Sequence, residues 1–244
     1  MTDSVSDGTP AYPRDEPSTP PLDRPDVLAG EALAPPPRQE RSRRSREALI
    51  AAARSRFTSN GYDATAVEDV AKDSGVAVGA FYLHFRSKRQ VLLVLVDRLL
   101  HELDAEPWST LGDDETTIMN RIRRRFSAAF EYAGVYRAWR EATPRDRSLA
   151  ALDARIGAWA TAGITAALQA VAASPRARPN VDVATVSYML SVVFWRLLDA
   201  DVADRPALSD TLITALRHVL FEDAAGEPGE TSRRDGTAAG GPRV

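Results

Sequence analysis

From Arg41 to Phe221 the apolar positions recur at helical spacing, and no segment alternates as a half-buried strand does. The pattern predicts an all-α chain. A first helix is expected from about Arg43 to Ser59, with Ile50, Ala53 and Phe57 on one face. Gly61 stops it, because glycine tolerates a left-handed cap. A short second helix runs from about Ala66 to Asp73, opened by the capping-box pair Thr65 and Glu68. Gly75 makes a tight turn into a third short helix, about Val78 to Phe85. Ser87 and Gln90 form a second box pattern, opening a long apolar helix from Lys88 to about Leu103. Further helices are expected at about 114–133, 135–142, 148–173, 182–201 and 207–221, with Pro144, Pro179 and Pro206 between them.

Two short helices joined by a glycine turn are a helix-turn-helix. Over residues 65–85, "TAVEDVAKDSGVAVGAFYLHF", Ala71 is small where the helices cross, and Val70, Val76 and Phe81 are spaced to form the core between them. The second helix of such a unit lies in the DNA major groove. Its leading residues Ala77, Val78, Gly79 and Ala80 are small, so its backbone approaches base edges closely but offers few hydrogen-bonding groups. Thr65, Tyr82, His84 and Lys88 carry donors suited to phosphate oxygens, and the first amides of the helix at Ser87 and Lys88 point the same way. Phe81 and Phe85 read as core, and Phe81, as part of the reading helix, also counts among the candidates for DNA contact.

Charge sharpens this picture. The net charge of the 244 residues is −3, which does not suggest a nucleic-acid binder, but residues 1–40 carry −5 and residues 41–90 carry +5. Phosphate attraction acts over about 8–10 Å, so the local block outweighs the total. Within "RSRRSR" at 41–46, Arg41, Arg43 and Arg44 either form a solvated helix start or reach phosphates or the minor groove. "RIRRRF" at 121–126 reads as a solvated helix face.

Residues 1–40 hold nine of the sixteen prolines and are expected to be a disordered acidic arm; 222–244, rich in Gly, Ala and charge, are expected to be a disordered tail. Between them the reading gives a DNA-binding unit at 41–88 and a helical unit at 89–221. The chain has no cysteine and only three widely spaced histidines, which leaves no metal site. With no phosphate-cradling glycine loop and no nucleophile–base arrangement either, neither an enzyme nor a cofactor is expected. No signal-peptide pattern and no apolar run of about 20 residues is present, so a cytoplasmic protein without membrane contact is expected.

The segment "ALIAAARSRFTSNGYDATAVEDVAKDSGVAVGAFYLHFRSKRQVL" resembles the amino-terminal domain of the TetR family, the tetracycline-repressor-like transcriptional regulators. An alanine-rich helix ends in Phe57 and then Gly61-Tyr62. Thr65, Val70-Ala71, Ser74-Gly75-Val76, Tyr82, His84-Phe85 and Ser87-Lys88 follow in the family's order, with Phe81 where leucine or isoleucine is commoner. The resemblance covers residues 43–100, about a quarter of the chain. It implies a three-helix DNA-binding head followed by a helical ligand-binding and dimerisation domain. It further implies a homodimer on a palindromic double-stranded DNA operator and release by a small-molecule effector. The alternative is an adaptor of this fold that acts through protein contacts without specific DNA binding.

In the second half, Phe126, Phe130, Tyr136, Trp139, Trp159, Tyr188 and Trp195 are large groups at helical spacing, candidates for core or for an effector pocket, with Arg140 as an anchor for an acidic or aromatic ligand. The helix at 182–201 is apolar on more than one side, so a second copy is expected to cover part of it. Met189, Val192, Val193 and Arg196, with Leu212, Leu216 and Val219 of the last helix, are the candidate interface.

Overall fold

The computed structural model describes residues 23–105, 114–199 and 205–222. Residues 223–244 of the tail expected at 222–244 and the first 22 residues of the expected arm lie outside them. Nine helices occur among the described residues: α1 (Glu40–Asn60), α2 (Val67–Ser74), α3 (Val78–His84), α4 (Lys88–Asp104), α5 (Glu115–Glu131), α6 (Ala133–Ala142), α7 (Arg147–Ala172), α8 (Val183–Asp199) and α9 (Arg205–Leu220). The only β pairing among those residues is one isolated antiparallel bridge between Ala177 and Phe221. The chain is all-α.

Helices α1, α2 and α3 close on a core of Leu49, Ile50, Ala53, Phe57, Val70, Ala71 and Phe81. Gly75 adopts the left-handed conformation, with φ +67°, that ends α2 and turns the chain into α3. Helix α4 lies under this head and also packs on α5 and α6. Six consecutive residues, Val91 to Val96, are buried, because α4 is covered by the head on one side and the body on the other. In the body, α7 packs on α8, α5 on α9, and α6 on both α1 and α8. One continuous hydrophobic cluster therefore runs from head to body.

Side-chain carboxylates, rather than the expected boxes, start several helices. Asp146 accepts from the amides of Ser148 (2.9 Å) and Leu149 (3.3 Å) at the start of α7, and Asp114 accepts from Thr117 (2.9 Å) at the start of α5. At α2 the Thr65–Glu68 box does not form. The N-cap is Ala66, and the Thr65 hydroxyl instead donates to the Gly61 carbonyl at 2.7 Å. At α4 half a box survives one residue early: the Gln90 side chain accepts from the Arg86 amide at 2.9 Å. Pro206 lies inside the first turn of α9 rather than before it, where its missing N–H costs no hydrogen bond.

The disordered arm expected over 1–40 is not what its described part forms. Val27 is buried, and Leu28 and Leu33 pack beside it. Arg24 pairs with Asp97 of α4 at 2.9 Å. Glu31 pairs with Arg89, which also holds Asp146 at 2.8 Å and Ser148 at 2.8 Å. Three apolar side chains and two ion pairs suffice to lay this strap along α4 despite its prolines.

Candidate nucleic-acid interface

Helix α3 divides cleanly into two faces. Phe81 and the following Phe85 point inward, Phe81 with none of its surface exposed, and the guanidinium of Arg46 lies 5.1 Å from the centre of the Phe85 ring. Ala77, Val78, Gly79, Tyr82 and Leu83 face outward, followed by exposed Arg86. Tyr82 is 52% exposed and Leu83 is 73% exposed. The outward face is thus apolar and small at its start, with a phenol in the middle and a cation at its end. Arg56 braces the reading unit from behind, gripping both carboxylate oxygens of Asp73 at 2.5 and 3.0 Å.

Of the residues expected to touch DNA, Tyr82, Ala77, Val78 and Gly79 lie on this surface, and Ala80 is half-buried at its edge. Arg43 and Arg44 are exposed on the first turns of α1, each holding Glu40 at 3.0 Å. Such exposed pairs are weak and exchange readily for a phosphate. Four other candidates are placed differently. Phe81 is core. Thr65 is 1% exposed with its hydroxyl spent on the Gly61 carbonyl. His84 is buried, and burial together with nearby Arg46 holds its pKa below the ordinary histidine value, so the ring is neutral at pH 7. Lys88 donates to the carbonyls of Tyr62 (2.7 Å), Asp63 (3.1 Å) and Thr65 (2.9 Å), with its ammonium 4.5 Å from the Tyr62 ring centre. That ammonium has no hydrogen left for a phosphate.

Lys88 and Glu141 hold the same loop from opposite sides. Glu141 of α6 accepts from the amides of Tyr62 (2.7 Å) and Asp63 (3.1 Å), while Arg145 pairs with Asp63. Gly61 has φ +82° and ψ 177°, a region open almost only to glycine, and a β-carbon there would stand 2.6 Å from a Glu141 oxygen. This latch ties the head to the body. Sequence reasoning missed it, as it missed Leu83 and Arg86; the spacing of Leu83 four residues after Gly79 was the available signal.

The body's candidates separate into three groups. Phe126 lines an apolar cavity of about 40 Å³ between α4, α5, α7 and α8, together with Leu103, Ile122, Arg125, Ile164, Leu190 and Phe194. Arg125 is therefore buried rather than part of the solvated face expected for 121–126, and only Arg123 and Arg124 are fully exposed there. Tyr136, Arg140 and Trp195 line a separate open cleft of about 470 Å³ with Asp153, Arg196 and Asp199. In it the Tyr136 and Trp195 rings stack at 5.1 Å, and burial pushes the Tyr136 phenol up to about 12. Asp153 binds both the Trp139 ring nitrogen (2.7 Å) and Arg140 (3.1 Å), so Arg140 is already paired. Phe130 packs edge-on against Phe126, Trp159 is core, and Tyr188 is exposed. Of the expected interface residues, Met189, Val192, Arg196 and Val219 are exposed and Val193 and Leu212 half-buried, but Leu216 is core. Tyr188 and Leu208 extend the exposed apolar surface.

A three-helix head with a buried core that projects one short helix from a basic surface defines a helix-turn-helix unit. Residues 49–95 match the bacterial regulatory proteins of the tetR family. The chain is 28% identical over 174 residues to the HTH-type transcriptional regulator EthR of Mycobacterium tuberculosis, spanning 66% of this chain and 78% of that protein. It is 32% identical over 95 residues to the repressor KstR2 of Mycolicibacterium smegmatis, spanning 39% of this chain and 45% of that one. Among solved structures it is similar to SmeT in complex with triclosan (TM-score 0.55, 20% identity, 76% and 95% of the two chains). Salmonella enterica GusR is comparably similar (TM-score 0.54, 18% identity, 72% and 93%). Residues 49–95 thus match the tetR-family regulatory proteins, and over 66% of its length the chain is similar to an HTH-type transcriptional regulator.

Proposed function

We propose that the chain is a homodimeric repressor that binds a palindromic operator and is released by a small-molecule effector. The observation that carries this reading is the outward face of α3. Five outward residues, Ala77, Val78, Gly79, Tyr82 and Leu83, and then Arg86 project from a head of net charge +5. In this reading the small residues let the α3 backbone approach base edges, and the Tyr82 hydroxyl donates to a phosphate. Arg41, Arg43 and Arg44 reach the flanking backbone. His84, Thr65, Phe81 and Lys88 hold the reading helix in place rather than touch DNA.

The dimer is supported by exposed apolar side chains on α8, Tyr188, Met189 and Val192, and on α9, Leu208 and Val219. A second copy seated on them by a two-fold axis buries these side chains in a four-helix contact. The two α3 helices then address half-sites about one helical turn, or about 34 Å, apart. For the effector, the cavity between α4, α5, α7 and α8 is far smaller than the roughly 300–1,000 Å³ of ordinary ligand sites, so an effector must part these helices to enter. The shift has a direct route to the head through α4, which lines the cavity at Leu103, and through α6, which grips the 61–63 loop by Glu141.

Selection of fragments from total genomic DNA by the purified protein tests the reading. A two-fold symmetric site whose affinity falls steeply with salt is expected. Weak binding without an enriched site would instead assign the chain to adaptors of this fold that act through protein contacts.

A further inference from the structure

We propose that Leu83 reads a thymine methyl group in the major groove, making this residue a determinant of operator specificity. The inference rests on the DNA-binding reading above and deepens it. Leu83 is 73% exposed, the most exposed of the large hydrophobic side chains among the described residues. It lies one turn after Gly79 on the outward face of α3. A helical side chain tilts back over the preceding turn, which places Leu83 over Gly79. A β-carbon at Gly79 would have no heavy atom within 4 Å, so the space beside this turn is open.

The surroundings name the occupant. Arg41, Arg43, Arg44 and Arg86 are exposed on the same head, whose net charge is +5, so the partner is a polyanion. The exposed apolar face of α8 and α9 belongs to a different part of the molecule. Within a polyanion of this kind, the apolar group that projects from the base edges into the major groove is the C5-methyl of thymine. Val78, Gly79 and Leu83 have no side-chain hydrogen bond to give. They match that methyl and no other base feature. Site recognition by α3 therefore rests on apolar contact and groove shape, with Tyr82 and Arg86 supplying the polar groups of this face.

The test uses the duplex that the full chain selects. Each thymine of one half-site is replaced in turn by deoxyuridine, which removes the methyl and leaves base pairing intact. At one or two positions the parent protein is expected to lose about fourfold in affinity, the worth of one buried methyl-sized group. Leu83→Ala, a change at an exposed position, is expected to bind the thymine and uracil duplexes equally at that position while keeping the parent's salt dependence. An undiminished thymine preference in Leu83→Ala, or a parent protein indifferent to every replacement, overturns the proposal. Failure of the parent to select any duplex defeats the DNA reading itself, and this inference with it.

Discussion

Lys88 donates its ammonium hydrogens to three carbonyls where α1 ends and α2 begins, so replacing it acts on folding before it acts on DNA. Lys88→Ala is expected to lower stability by about 1–3 kcal/mol in denaturant titration, since hydrogen bonds to a charged group are lost together. The salt dependence of DNA binding should keep its slope; a slope reduced by about one unit would show that Lys88 does reach a phosphate. Tyr82→Phe removes a donor from an exposed position and is expected to weaken binding about equally on all duplexes, by roughly two- to tenfold. A changed sequence preference would contradict the phosphate role. Asp146 is held down at about 2, first by the Ser148 hydroxyl and then by Arg89. A depressed carboxylate stabilises the fold fully above its unfolded value near 4, and that contribution disappears as the pH falls towards 2. Asp146→Asn should flatten the stability profile in that window and cost about 1 kcal/mol at neutral pH, read from urea midpoints. Lys88, with Thr65 and His84, also marks what a sequence conceals. Residue type and spacing brought Thr65, His84 and Lys88 to the right neighbourhood. Whether a donor meets a phosphate or a carbonyl depends on where the 61–65 backbone runs, and spacing does not encode that.

At the scale of elements, periodicity placed α1 through α4 within a few residues, because Gly61 and Gly75 punctuate the chain where φ must be positive. The strap at 23–34 was illegible for the opposite reason. Its apolar residues are few and follow no period, and their burial depends on a groove beside α4 that forms only once the body has folded. Val27→Asp with Glu31→Gln is expected to release the strap. The measurement is limited proteolysis, with cleavage within 23–40 accelerated at least tenfold while the helical core stays resistant. Unchanged cleavage would mean the strap is not held by these contacts. The strap at 23–34 lies on α4 rather than over α3. Arg89 joins strap, α4 and the start of α7 in one cluster, which makes that cluster sensitive to any tilt of α4.

Across the whole molecule, the head was legible because its core is local in sequence, whereas the cavity was not. Four helices meet to form it, and only Phe126 among the pocket candidates lines it. Ala160→Val places two methyl groups into that cavity. The expected outcome is an unfolding temperature within a few degrees of the parent, DNA affinity unchanged, and loss of the thermal shift that apolar ligands give the parent. A retained shift would move the effector to the open cleft at Tyr136 and Trp195. In the proposed dimer, the head's reading face, the exposed apolar residues of α8 and α9, and the latch at Glu141 act together: two heads at a spacing set by the body. Its most direct test is the mass of the complex formed on the selected operator duplex, measured by sedimentation over a range of salt. The account predicts chains bound in pairs related by the site's symmetry, with an affinity that falls steeply as salt rises. A single chain per duplex, or an affinity indifferent to salt, would contradict it.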